Sequence, residues 1–160
     1  MIKKFVIPIL ILLSLIVIQL VLIPLISISN VEPNIVLIYL ILYSLKYGQQ
    51  LGMLLAFFIG FMFDIASGGL MGSGMFSFTL ASFIAGYFYK EEFSDVLQNV
   101  KSFILIIFIS ALVFFTLYSV LGSKDVAVLT KLSFIVYVLL SSAYTVLVSQ
   151  IIYLIPRIRL

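Results

Sequence analysis

Apolar runs long enough to cross a bilayer, parted by short polar turns, follow one another along most of this chain. No other feature narrows the fold as much. A soluble domain of 160 residues would be far more polar than one with 64% apolar residues, 9% charged residues and a mean hydropathy of +1.36. Residues 1–160 therefore read as a single all-α integral membrane domain with no room for a separate catalytic unit. The residue inventory restricts the chemistry further. Cysteine is absent, which excludes disulfides, thiol catalysis and thiolate metal sites. Histidine, the commonest general base and metal ligand, is absent too. The sequence carries no catalytic set, no cofactor fingerprint and no metal-ligand spacing; Glu91, Glu92 and Asp95 read as a solvated loop face. A net charge of +3 suits an anionic bilayer, and no basic cluster stands clear of it to hold nucleic acid.

Turn signals divide the chain into six expected transmembrane helices. The first has a basic tip at Lys3 and Lys4, is too long for a secretory leader, takes Pro8 near its first turn and is kinked or ended by Pro24. Asn30 to Asn34 is a turn, with Pro33 expected in the first turn of the second helix and Glu32 near the positive end of its dipole. That helix, from about Asn34 to Lys46, is only ~20 Å long at 1.5 Å per residue, which suits little tilt or a thinned bilayer. The third covers about Gln49 to Ala66 and the fourth about Ser73 to Tyr89. Lys90 to Lys101 is the only strongly polar segment. Its Phe93, Val96, Leu97 and Val100 keep helical spacing, so an interfacial helix capped by Ser94 or Asp95 is expected to lead into the fifth span, which ends near Leu121. The sixth covers about Lys131 to Leu154 and is stopped by Pro156. An even number of spans puts both termini on one side. With the termini in the cytoplasm, Lys3, Lys4, Lys46, Lys90, Lys101, Arg157 and Arg159 lie inside and only Lys124 and Lys131 outside, a positive-inside distribution.

The stretch from Gly48 to Gly86 is expected to be the packing centre. Gly48, Gly52, Ala56, Gly60, Asp64 and Gly68 follow at steps of four and so share one helix face. Ser73, Ser77, Ala81 and Ala85 form a second small stripe, with Gly74, Ser82 and Gly86 beside it. Such stripes let membrane helices approach closely, because lipid gives them no hydrophobic reason to associate. They suit contacts within the bundle, a partner helix, a second copy of the chain or the wall of a cavity. Asp64 is the one acid well inside an apolar run. Its burial costs about 2.5–3.5 kcal/mol at mid-membrane, and the C-terminal end of a helix disfavours it further. The expected compensation is the turn itself. Gly68, Gly69 and Gly72 permit positive φ, and the start of the fourth helix offers free N–H groups. Gln19, Tyr137 and Lys131 are further candidate partners, and a proton, ion or ligand role for Asp64 stays open beside the structural one.

The pattern GMLLAFFIGFMFDIASGGLMGSGMFSFTLASFIAGY resembles the MreD family of rod shape-determining membrane proteins. The residues that carry the likeness are Gly52, Phe57, Gly60, Asp64, Gly68 or Gly69, and Gly72, together with the Glu32-Pro33-Asn34-Ile35-Val36-Leu37 entry to the second helix, where many members have Asp in place of Asn34. The resemblance implies a non-enzymatic scaffold in the bacterial cytoplasmic membrane, without a cofactor. Such a scaffold pairs with the bitopic protein MreC and connects MreB filaments to the wall-synthesis enzymes. It also implies a fold similar to the substrate-binding subunits of energy-coupling-factor vitamin transporters. A small-molecule binding subunit of that kind is the rival functional reading.

Overall fold

The computed structural model describes residues 2–28, 31–89, 99–122 and 132–154. Six α-helices occur among them: α1 (Ile2–Val21), α2 (Ile35–Tyr47), α3 (Gln49–Ser67), α4 (Ser73–Tyr87), α5 (Val100–Gly122) and α6 (Leu132–Leu154). A 3-10 turn over Ile23–Ile26 carries α1 on through Pro24. The expected interfacial helix, the turn beyond Gly122, Lys131 and the segment from Pro156 onward lie outside the described residues. Two prolines sit differently from expectation. Pro8 lies inside α1, which begins at Ile2. Pro33 precedes α2, whose N-cap is Asn34; the Asn34 side chain accepts the Leu37 N–H at 2.8 Å.

The α3–α4 hairpin is heavily packed, as expected, and α2 is the helix most completely enclosed beside it. Every residue of α2 from Val36 to Leu45 except Tyr39 is buried, and α2 packs against all five other helices. A helix that is apolar all round belongs in an interior. Its shortness follows: with protein on every side, α2 has no need to match the thickness of a bilayer. Among the described elements the α3–α4 pair is the most intimate contact, and it lies directly against α2.

Side-chain polarity is arranged for a membrane. Ser44, Ser77, Ser82, Ser110, Ser141, Ser142, Thr145 and Ser149 are fully buried, whereas Leu10, Val17, Phe58, Phe76, Leu105 and Leu147 face outward. Three of the buried hydroxyls donate to the carbonyl one turn back, Ser44 to Leu40, Ser77 to Ser73 and Ser142 to Val138, and so pack at helix interfaces with their donors satisfied, whereas the Ser82 and Ser110 hydroxyls are buried without a partner among the described residues. Among the described residues α3, α5 and Ser133–Ile151 of α6 are long and apolar enough to cross a membrane, and Pro8–Val21 and Ile35–Tyr47 are shorter apolar helices.

Candidate functional site

The turn between α3 and α4 is built on two glycines in the left-handed region. Gly68 ends α3 at φ 64°, and Gly72 opens α4 at φ 100°. Gly72 has no side chain with which to cap α4, and Asp64, a full turn back from the end of α3, supplies the cap across the hairpin. Its Oδ2 accepts the Gly72 N–H at 2.8 Å and the Met75 N–H at 3.3 Å, and its Oδ1 accepts the Gly74 N–H at 2.8 Å. The carboxylate is 1% exposed. The dipole of α3 disfavours an anion there, but the N-terminus of α4 is a converging set of donors that favours one.

Glycine makes this geometry accessible. A Cβ on Gly60 would stand 2.6 Å from the Met75 Cα, and one on Gly74 would collide with Asp64 Oδ1. At the opposite end of the pair the Gln49 side chain donates to the Phe83 carbonyl at 3.0 Å, and a Cβ on Gly86 would meet the Gln49 backbone. The α3–α4 pair is thus tied by a polar side chain at each end, with glycine contacts between.

A second cap lies at the entry to α2. Gln19 of α1 accepts the Ile35 N–H at 2.9 Å and donates to the Pro33 carbonyl at 3.0 Å. Thr145 of α6 accepts the Asn34 N–H at 3.2 Å while donating to the Ser141 carbonyl. Three helices therefore meet at one buried helix start. Between the two capped ends is a cavity of about 190 Å³, walled by Gln19, Glu32, Phe63, Phe115, Tyr118 and Tyr137 among others.

The family model described as rod shape-determining protein MreD matches residues 1–158 of the chain. The chain belongs to the MreD family. No curated protein and no solved structure matches it. The MreD family is one of shape-determining structural membrane proteins, and the apolar helices agree with a place in the membrane.

In this MreD-family chain the sequence-derived residues divide by what they do. Gly52 lies where a Cβ would strike the Ser44 side chain of α2, and Ala56, Gly60 and Asp64 are buried with it. Ser73, Ser77 and Ala81 are buried on α4. Both stripes are used up inside the bundle, so neither is a free surface for a partner helix. Gly48 is not a packing residue: it sits at the α2–α3 joint at φ 92°, with open space where a Cβ would be. Gly69 does not take positive φ, and a Cβ there would meet nothing closer than 3.4 Å. Gln19 and Tyr137 do not bond Asp64; Gln19 serves α2, and Tyr137 walls the cavity. The cap formed by Gln19 and Thr145 was not expected. A glutamine in an otherwise apolar run was its one visible signal, and nothing in the spacing joins it to Asn34.

Proposed function

We propose that this protein is a non-enzymatic scaffold of the rod complex. It crosses the cytoplasmic membrane six times with both termini in the cytoplasm and binds an MreC-like bitopic protein. Through that partner it is coupled to MreB and to peptidoglycan synthesis. The observation that carries this reading is the occupancy of Asp64. Both carboxylate oxygens are taken by backbone N–H groups of α4, so the one deeply buried acid among the described residues acts as a structural cap. With both small-residue stripes turned inward, the lipid-facing side chains are left to receive the partner's membrane helix or a second copy of the chain.

The rival reading, a vitamin-binding subunit with the fold of the energy-coupling-factor substrate binders, draws on the cavity. At about 190 Å³ the cavity is smaller than the roughly 300–1,000 Å³ of pockets that enclose such ligands. The test is affinity capture of the tagged full chain from its own membranes, alongside a clean deletion. Recovery of the MreC-like protein and rounding of the deletion cells are expected. Rods in the deletion strain, or a stoichiometric vitamin in the purified protein, would replace the scaffold reading with the transporter one.

A further inference from the structure

The cavity between the two capped helix starts has a chemistry of its own. Five aromatic residues form one continuous part of its wall: Phe63 meets Tyr118 edge-on at 6.2 Å, Tyr118 stacks on Phe114 at 5.5 Å, Phe114 meets Phe115 at 5.3 Å, and Phe115 meets Tyr137 edge-on at 6.2 Å. No lysine or arginine among the described residues lines it, and Glu32 is the one carboxylate among them that does. Glu32 is part-exposed and has no hydrogen-bond or ion-pair partner among the described residues. Asp64 has no such freedom, since both its oxygens are occupied. Gln19 and Leu20 near the C-terminal end of α1 and Ser67 at that of α3 share the wall with Pro24, Pro33 and the α2 N-cap Asn34; the α1 and α3 ends carry partial negative charge, and the N–H groups at the α2 start are taken up by Gln19, Asn34 and Thr145.

We infer that this cavity is a binding site for a small organic ammonium ion. Aromatic faces attract weakly hydrated cations, and Glu32 supplies the counter-charge. An anion would find no cationic side chain among the described residues of the wall. A divalent metal would find a single carboxylate, and no group of three acidic ligands exists among the described residues. The volume of about 190 Å³ exceeds the ~30 Å³ of a single water several-fold and suits a headgroup-sized ion. The ammonium could come from two sources, a free alkylammonium ion or the headgroup of phosphatidylethanolamine. This inference does not rest on the scaffold reading.

The experiment uses the full chain in phosphatidylglycerol vesicles, which contain no other protein, titrated with tetramethylammonium. The chain has no tryptophan and nine tyrosines, so tyrosine fluorescence is an unobstructed readout. The expected result is a saturable change that weakens about tenfold in Glu32→Gln and in Tyr137→Leu, each shown to be folded without ligand by a cooperative thermal transition. In a second arm, native mass spectrometry follows the chain taken from mixed phosphatidylethanolamine and phosphatidylglycerol. One retained phosphatidylethanolamine, lost in Glu32→Gln, identifies the lipid as the source; saturable tetramethylammonium binding without that retention identifies the free ion. The site is refuted if neither probe binds, or if binding is undiminished in the folded variants.

Discussion

Asp64 makes its three bonds with two oxygens, and the division between them sets what a substitution does. Asparagine has one acceptor oxygen and an amide that donates. Asp64→Asn therefore keeps at best the Gly72 and Met75 bonds and turns a donor toward the Gly74 N–H. Hydrogen bonds to a charged group contribute about 1.5–3 kcal/mol, so Asp64→Asn is expected to lose about 1–3 kcal/mol and retain part of its function, whereas Asp64→Leu orphans all three donors and should lose more than ~3 kcal/mol. Unfolding in mixed micelles, run beside shape complementation, measures both. A folded, partner-binding Asp64→Asn with complete loss of function would instead assign Asp64 a proton or ion role. The glycines give a sharper contrast. Gly60→Leu and Gly74→Ala each force atoms into occupied space and should cost about 1–3 kcal/mol. Gly69→Ala meets only the Ser67 hydroxyl, at 3.4 Å, and the Tyr118 hydroxyl, at 3.7 Å, and should stay within ~0.5 kcal/mol of the parent. Equal losses at Gly69 and Gly74 would contradict the close-approach account.

At the scale of helices, α2 depends on its neighbours for its first turn. Gln19→Leu removes the acceptor for the Ile35 N–H and the donor to Pro33, and Thr145→Val removes the acceptor for the Asn34 N–H. Each is expected to destabilise by roughly 1–3 kcal/mol. Because both act on one helix start, the double variant should depart from additivity by at least ~0.5 kcal/mol in the same micelle assay. This level also shows what the sequence could reveal. Asp64 was legible because an acid in an apolar run demands nearby donors, and a glycine turn with a helix start beside it provides them. The enclosure of α2 was not legible. A run such as Ile35–Leu45, apolar on every face, reads the same whether lipid or protein surrounds it. The steps of four on α3 told which residues share a face but not which neighbour that face meets. Gly74, set beside the small stripe of α4, therefore emerged as a tight contact only in three dimensions. The Gln19–Asn34–Thr145 cap joins residues up to 111 positions apart, and no local pattern encodes it.

For the whole molecule, the topology proposed from the charge distribution has the Gly68–Gly72 turn on the outer face. The chain has no native cysteine, so a single cysteine at the tolerant Gly69 position should react with an impermeant maleimide in intact cells. Labelling only after the membrane is opened would reverse the orientation. The buried position of α2 has a consequence for biogenesis as well. Helices leave the ribosome in order, so in the proposed six-span topology α2 enters the bilayer long before Thr145 exists. Until α6 arrives, the Asn34 N–H lacks its acceptor, and the side of α2 that α5 and α6 later cover is open to lipid. The last helix is thus the piece that closes a shell around the second. A chain stopped after Gly122 is expected to insert but to be degraded by membrane quality-control proteases several-fold faster than the full chain in a pulse–chase, and α6 supplied as a separate polypeptide should slow that decay.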